Sequence, residues 1–216
     1  MLIVLIIVAF VGFAIWYIRN QQFVNFTINE KSFQLEKYSP GHTQSLNTLV
    51  KIRQKLDALI ERLKSKYPND KLVKRLEERF KNTVLREANP DGDPTQTSYT
   101  INKGDTMVIC LRANNGRVVD INTLMYVAIH ELAHVYSSSY HHNPEFWKNM
   151  QFLVNEATEL GIYRDTDYKD NPVRYCGIII SSNIPRTELP NQRGMKGGAP
   201  LDMIGFLLNH SKVVFA

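Results

Sequence analysis

Residues 124–147 read LMYVAIHELAHVYSSSYHHNPEFW, and the centre of that stretch, His130-Glu131-Leu132-Ala133-His134, decides how the rest is understood. Leu124, Val127, Ala128 and Leu132 recur at helical spacing, and no Pro or Gly falls between 124 and 135. Asp120, Asn122 or Thr123 can cap the start of such a helix. Helical side chains at i and i+4 share a face, so His130 and His134 can grip one metal ion without distorting the backbone. Glu131 then projects beside the ion rather than onto it, where it can polarise a water. The competing explanation, structural histidines with no metal, leaves His130, Glu131 and His134 to be satisfied in a core.

Two histidines do not complete a catalytic zinc site, which takes three protein ligands and a water. The chain offers three candidates for the third. Residues 137–140 break the helix, and His141 and His142 follow. Asn143-Pro144 reads as the cap and first-turn proline of another helix that runs to about residue 160, where Gly161 closes it. The chain therefore turns back and can bring His142 to the first helix. His141, one residue earlier, points elsewhere. Glu156 lies on the second helix, 22 residues past His134, and Asn155-Glu156 resembles the way thermolysin-like enzymes supply a carboxylate ligand.

HELAH, a short irregular link, and then a histidine followed by x-x-x-Phe-Trp resembles the WLM-domain and SprT-like zinc metalloproteases; His142 to Trp147 supply the second half. The resemblance implies an α+β, zincin-like domain with a small β-sheet. It implies Zn2+ as cofactor, held by His130, His134 and His142, with Glu131 as the catalytic base and a protein or peptide as substrate. It also implies that residues 107–111 form an edge strand that borders the cleft and pairs with an extended peptide, a mode in which backbone groups supply affinity. The metzincin pattern, with glycine three and histidine six residues after the second ligand, fails, because Ser137 and Tyr140 hold those places. Some relatives degrade proteins crosslinked to DNA, which brings nucleic acid into view as a partner. No zinc finger, recognition-helix pattern or basic tail supports it here.

Working outward, 216 residues with 44% hydrophobic content suffice for one sizeable core. Residues 2–18 carry no charge, and 17 helical residues span roughly 26 Å, close to a bilayer core. Trp16 and Tyr17 end the run like an interfacial belt, and Arg19, Lys31 and Lys37 follow it with no basic residue before it. The expected organisation is a transmembrane anchor at 1–19, a linker with a short strand at 20–42, and the metalloprotease domain at 43–216. The charge asymmetry predicts a single-pass membrane protein whose globular part is cytosolic. Cys110 and Cys176 are too few to suggest an oxidising-compartment framework and do not declare a pairing.

Leu46, Leu49, Ile52, Leu56, Leu59, Ile60 and Leu63 predict an amphipathic helix over 43–66, ended by residues 67–70 and followed by a second helix with Leu72, Val73, Leu76 and Phe80. Between residues 51 and 86 stand 12 Lys/Arg against 5 Asp/Glu. That excess reads as a solvated helix face or as a contact for an anionic surface. Residues 97–101 and 107–111 flank a turn and read as a β-hairpin, and 173–180 as one short buried strand. A hydroxyl of Tyr163, Tyr168 or Tyr175 could stabilise an oxyanion. Residues 191–200 read as a loop and the tail after 201 as a helix packed on the domain.

Together these readings point to a membrane-anchored zinc-dependent endopeptidase. The rivals are a non-catalytic, zinc-stabilised module that tethers a partner to the membrane, and a DNA-associated repair protease.

Overall fold

The structure is a computed structural model that describes residues 7, 10–13, 15, 23–37, 41–88, 97–113 and 116–182. Strands β1 (Phe23–Ile28) and β2 (Lys31–Glu36) form an antiparallel hairpin through Asn29 and Glu30, both at positive φ. This hairpin lies within the stretch read as a linker. Helices α1 (His42–Lys66) and α2 (Lys71–Lys81) then cross over to β3 (Val84–Glu87), which pairs parallel with β2. Strands β4 (Tyr99–Ile101) and β5 (Thr106–Ile109) make the expected hairpin, with β5 inserted between β3 and β4. The five strands run in the order β1-β2-β3-β5-β4. The fold is α+β.

One consequence corrects a sequence reading. Residues 107–111 were expected at the sheet edge, but β5 pairs on both sides, with β3 and β4. The outermost strand on this side of the sheet is β4, and β1 is outermost on the other. Sequence periodicity places a strand in a sheet without saying which neighbour lies outermost.

Amphipathic helix α1 turns Leu49, Ile52, Leu56, Leu59 and Leu63 onto the sheet, where Phe33, Leu35, Leu85, Met107 and Ile109 face them, all almost completely buried. Asp70 caps α2 by accepting from the backbone N–H groups of Leu72 and Val73. Helix α3 (Ile121–Tyr136) begins at Asp120, whose carboxylate accepts from the Thr123 N–H, and it is buried on nearly every side. A helix apolar all round belongs inside a protein. Here α1, α2, α4 (Pro144–Glu159) and strands β4 and β5 surround it. Gly104, in the β4–β5 turn at φ +122, lets that turn approach α3: a Cβ there would lie 3.1 Å from Val135 Cγ1.

Residues 173–180 form two strands rather than one, β6 (Val173–Tyr175) and β7 (Ile178–Ile180), in a separate hairpin. Cys176 and Gly177, at φ +44 and +89, make its turn, a backbone path that a single apolar run conceals. Cys110 and Cys176 form a disulfide that fixes this hairpin beside the end of β5. The basic excess between 51 and 86 is largely engaged within the fold. Arg53 donates to the Phe80 and Thr83 carbonyls, Arg62 and Lys66 pair with Glu156 and Glu159, and Lys64 pairs with Glu61 and Glu77.

The membrane reading does not stand. Among the described residues no helix is long and apolar enough to cross a membrane. Most of residues 2–18 lie outside the described ones, among which Ile7, Phe10, Val11, Gly12, Phe13 and Ile15 are helical and exposed. The predicted single-pass membrane protein with a cytosolic domain, and the membrane as a partner, are corrected accordingly. The loop at 191–200 and the helical tail also lie outside the described residues.

Candidate metal centre

His130 and His134 share one face of α3, as the i,i+4 spacing requires. After Tyr136 the chain leaves the helix, and Asn143, whose side chain accepts from the Phe146 N–H, starts α4 with Pro144 in its first turn. The link between the helices is held from several sides. Ser138 N–H donates to Glu145, Asn149 donates to the buried Ser137 hydroxyl, and Lys103 reaches across from the β4–β5 turn. The Lys103 ammonium donates to the carbonyls of His134, Ser137 and Ser139 and sits 4.2 Å from the Tyr140 ring centroid. Arg79 and Arg75 donate to the next two carbonyls, Val135 and Tyr136. Three cations thus satisfy the orphan carbonyls and the negative dipole end of α3.

This link delivers His142 to the helix face. His142 Nε2 lies 2.9 Å from His130 Nε2 and 3.1 Å from His134 Nε2. Ligand atoms of the three all fall within 4.8 Å of one another. Tetrahedral zinc with Zn–N of ~2.0–2.1 Å needs nitrogens ~3.3–3.4 Å apart, so small shifts of the rings would admit the ion. Protonation is adjusted in the same direction. Burial, then the neighbouring His134 and His142, push the His130 imidazole well below its ordinary value. Burial, His142 and Lys103 push His134 down to about 3, and burial with His141 lowers His142. All three rings are therefore held neutral, the form that binds metal.

Aromatic rings close around the imidazoles. The Phe146 centroid lies 4.4–4.9 Å from those of all three histidines, and Trp147 stacks on His142 at 5.6 Å. Phe146 is wholly buried. Such a shell fixes the ring orientations and limits solvent access.

Glu131 is fully buried between the two helical histidines in sequence, and its Oε2 accepts a 2.9 Å hydrogen bond from Thr100 on β4. Its Oε1 has no hydrogen-bond partner among the described residues. Burial pushes its carboxyl up to about 8, against the hydrogen bond from Thr100.

The other sequence candidates fall elsewhere. Glu156 accepts from Arg62, Lys66 and the Tyr67 hydroxyl, which join α4 to α1. Burial raises its carboxyl, but those three donors outweigh burial and hold it below the ordinary range. His141 is exposed beside the cluster and is outside the converging group. Tyr163 and Tyr168 pack on Tyr126, while the Tyr175 hydroxyl donates to the Cys110 carbonyl and lies 2.7 Å from Ser98 Oγ. Thr100 and Lys103 were not legible as site residues. They stand 31 positions before the residues they contact, Glu131 and His134, on a hairpin whose pattern reads only as strand-turn-strand.

Comparison with known proteins identifies the family of the chain. The WLM domain family model matches residues 28–177. Protein R325 of Acanthamoeba polyphaga mimivirus is 32% identical over 167 residues, covering 75% of this chain and 83% of that protein. Protein 136R of Invertebrate iridescent virus 6 is 24% identical over 157 residues, covering 69% and 84% respectively. Among solved structures, Wss1 from Saccharomyces cerevisiae aligns at a TM-score of 0.46 and 19% identity, over 59% of this chain and 87% of that one. With a family model that spans strands β2 to β5 and both histidine-bearing helices, the chain belongs to the WLM domain family.

Proposed function

We propose that this protein is a zinc-dependent endopeptidase in which His130, His134 and His142 hold the metal and Glu131 is the general base. The observation that carries the reading is the convergence of three imidazole nitrogens beside a buried glutamate, one of whose oxygens has no hydrogen-bond partner among the described residues. Zinc, when bound, would supply a Lewis acid for water and carbonyl and a positive charge that returns Glu131 toward its ionised form. Glu131 Oε1 accepts the proton of the attacking water and returns it to the leaving amine. The Phe146 and Trp147 rings keep the imidazoles in place and limit competing water. Strand β4, outermost in the sheet, offers its backbone to an extended peptide.

A structural zinc site usually closes with a fourth protein ligand and has no use for a buried, half-satisfied glutamate, which argues against a purely tethering module. The test is Glu131→Gln. It should keep one zinc per chain, measured by metal analysis, and lose peptide hydrolysis. A zinc-loaded Glu131→Gln protein that still cleaves peptides would end this assignment.

A further inference from the structure

Thr100 belongs to edge strand β4, yet its side chain points back to α3. Its Oγ1 lies 2.9 Å from Glu131 Oε2 and 3.3 Å from the Glu131 carbonyl oxygen. A hydroxyl has one proton to donate, and the shorter, charge-capable contact to the carboxylate takes it. Glu131 is wholly buried, and among the described residues Oε1 lacks a hydrogen-bond partner. Buried carboxylate oxygens are normally satisfied, so a carboxylate gripped at one oxygen and open at the other is one whose orientation has been chosen. Thr100 also continues the strand itself, paired with Met107, so the grip is anchored in the sheet rather than in a loop.

Resting on the assignment of Glu131 as base, we propose that Thr100 is a positioning residue: its hydroxyl holds Oε2 so that Oε1 is the oxygen that takes the proton from water. Because β4 is the edge where substrate backbone would pair, the same residue couples the seating of substrate to the placement of the base. Valine has the shape and strand preference of threonine without the hydroxyl, so Thr100→Val removes the grip and little else. Thr100→Ser restores it.

The experiment uses the full chain loaded with zinc and a quenched fluorescent peptide that the parent cleaves. Thr100→Val should keep one zinc per chain and a melting temperature near the parent's, lose roughly 10–100-fold in kcat, and leave KM unchanged. Thr100→Ser should recover most of the rate. A Thr100→Val protein that turns over like the parent overturns the proposal, as does a Thr100→Ser protein as slow as the valine variant, which would mark a packing role. A second readout is independent of catalysis: in metal-free protein, the melting shifts of Thr100→Val and Glu131→Ala should be non-additive when combined. Additive shifts in an active parent would sink this proposal alone. An inactive parent would sink the protease reading, and with it the catalytic meaning of the grip.

Discussion

Replacing Lys103 with methionine should loosen the metal centre from a distance. The side chain of this buried residue keeps its length and apolar stem and loses only the ammonium, which donates to the carbonyls of His134, Ser137 and Ser139. Charged-donor hydrogen bonds contribute roughly 1.5–3 kcal/mol, and a cation at a helix C-terminus adds about 0.3–1 kcal/mol. Against this stands desolvation, which lowers the Lys103 pKa, followed by the nearby Arg79 and Arg75. The net should be about 2 kcal/mol. For a chain of this size that is roughly a 4–8 °C fall in melting temperature, read by calorimetry. The link that Lys103 braces carries His142, so zinc affinity, read by competition with a chelating dye, should fall ~10–100-fold. A Lys103→Met protein that melts with the parent and binds zinc as tightly would refute the idea that this cation shapes the third-ligand link.

Glu156→Gln should retain full zinc content but melt lower, because Arg62, Lys66 and Tyr67 lose an ionised partner at the α1–α4 contact; loss of zinc would reinstate Glu156 as a ligand. Reducing the Cys110–Cys176 disulfide, or replacing both residues with serine, should destabilise the fold by up to about 4 kcal/mol on loop entropy for a separation of 66 residues; unchanged denaturant midpoints would contradict it. Metal-free protein should be most stable near pH 6.5–7. The histidine pKa values are depressed, so acid below about 6.5 protonates the unfolded chain first and lowers stability, by at most about 1.4 kcal/mol per pH unit for each ring. The Glu131 pKa is raised from 4.5 to about 8, so its contribution is lost as pH rises through that window, and Glu131→Gln should abolish the decline between pH 7 and 8. Urea titrations across this range give both slopes.

Much of the fold and part of the site can be read from local pattern. Periodic leucines locate α1, the capping residues at 120–123 and Asn143 mark the starts of α3 and α4, and the turn at 102–105 joins β4 to β5. These features depend on neighbours within a few positions, which is the range over which propensity and capping act. The apolar run at residues 2–18 shows the limit of the same method: hydropathy describes a solvent preference, and the described residues contain no membrane-spanning helix.

What the sequence determined by itself was the pair His130 and His134 on one helical face with Glu131 beside them, since i,i+4 spacing is a property of the backbone alone. Which of His141, His142 and Glu156 joins them was decided in three dimensions. Three cations hold the turn after α3 in the path that brings His142 over the helix, while Arg62, Lys66 and Tyr67 draw Glu156 away to α1. The order of β4 and β5, the Thr100 grip on Glu131 and the pairing of Cys110 with Cys176 were decided there too. Each joins segments separated by tens of residues, and such contacts arise only once the whole chain has packed.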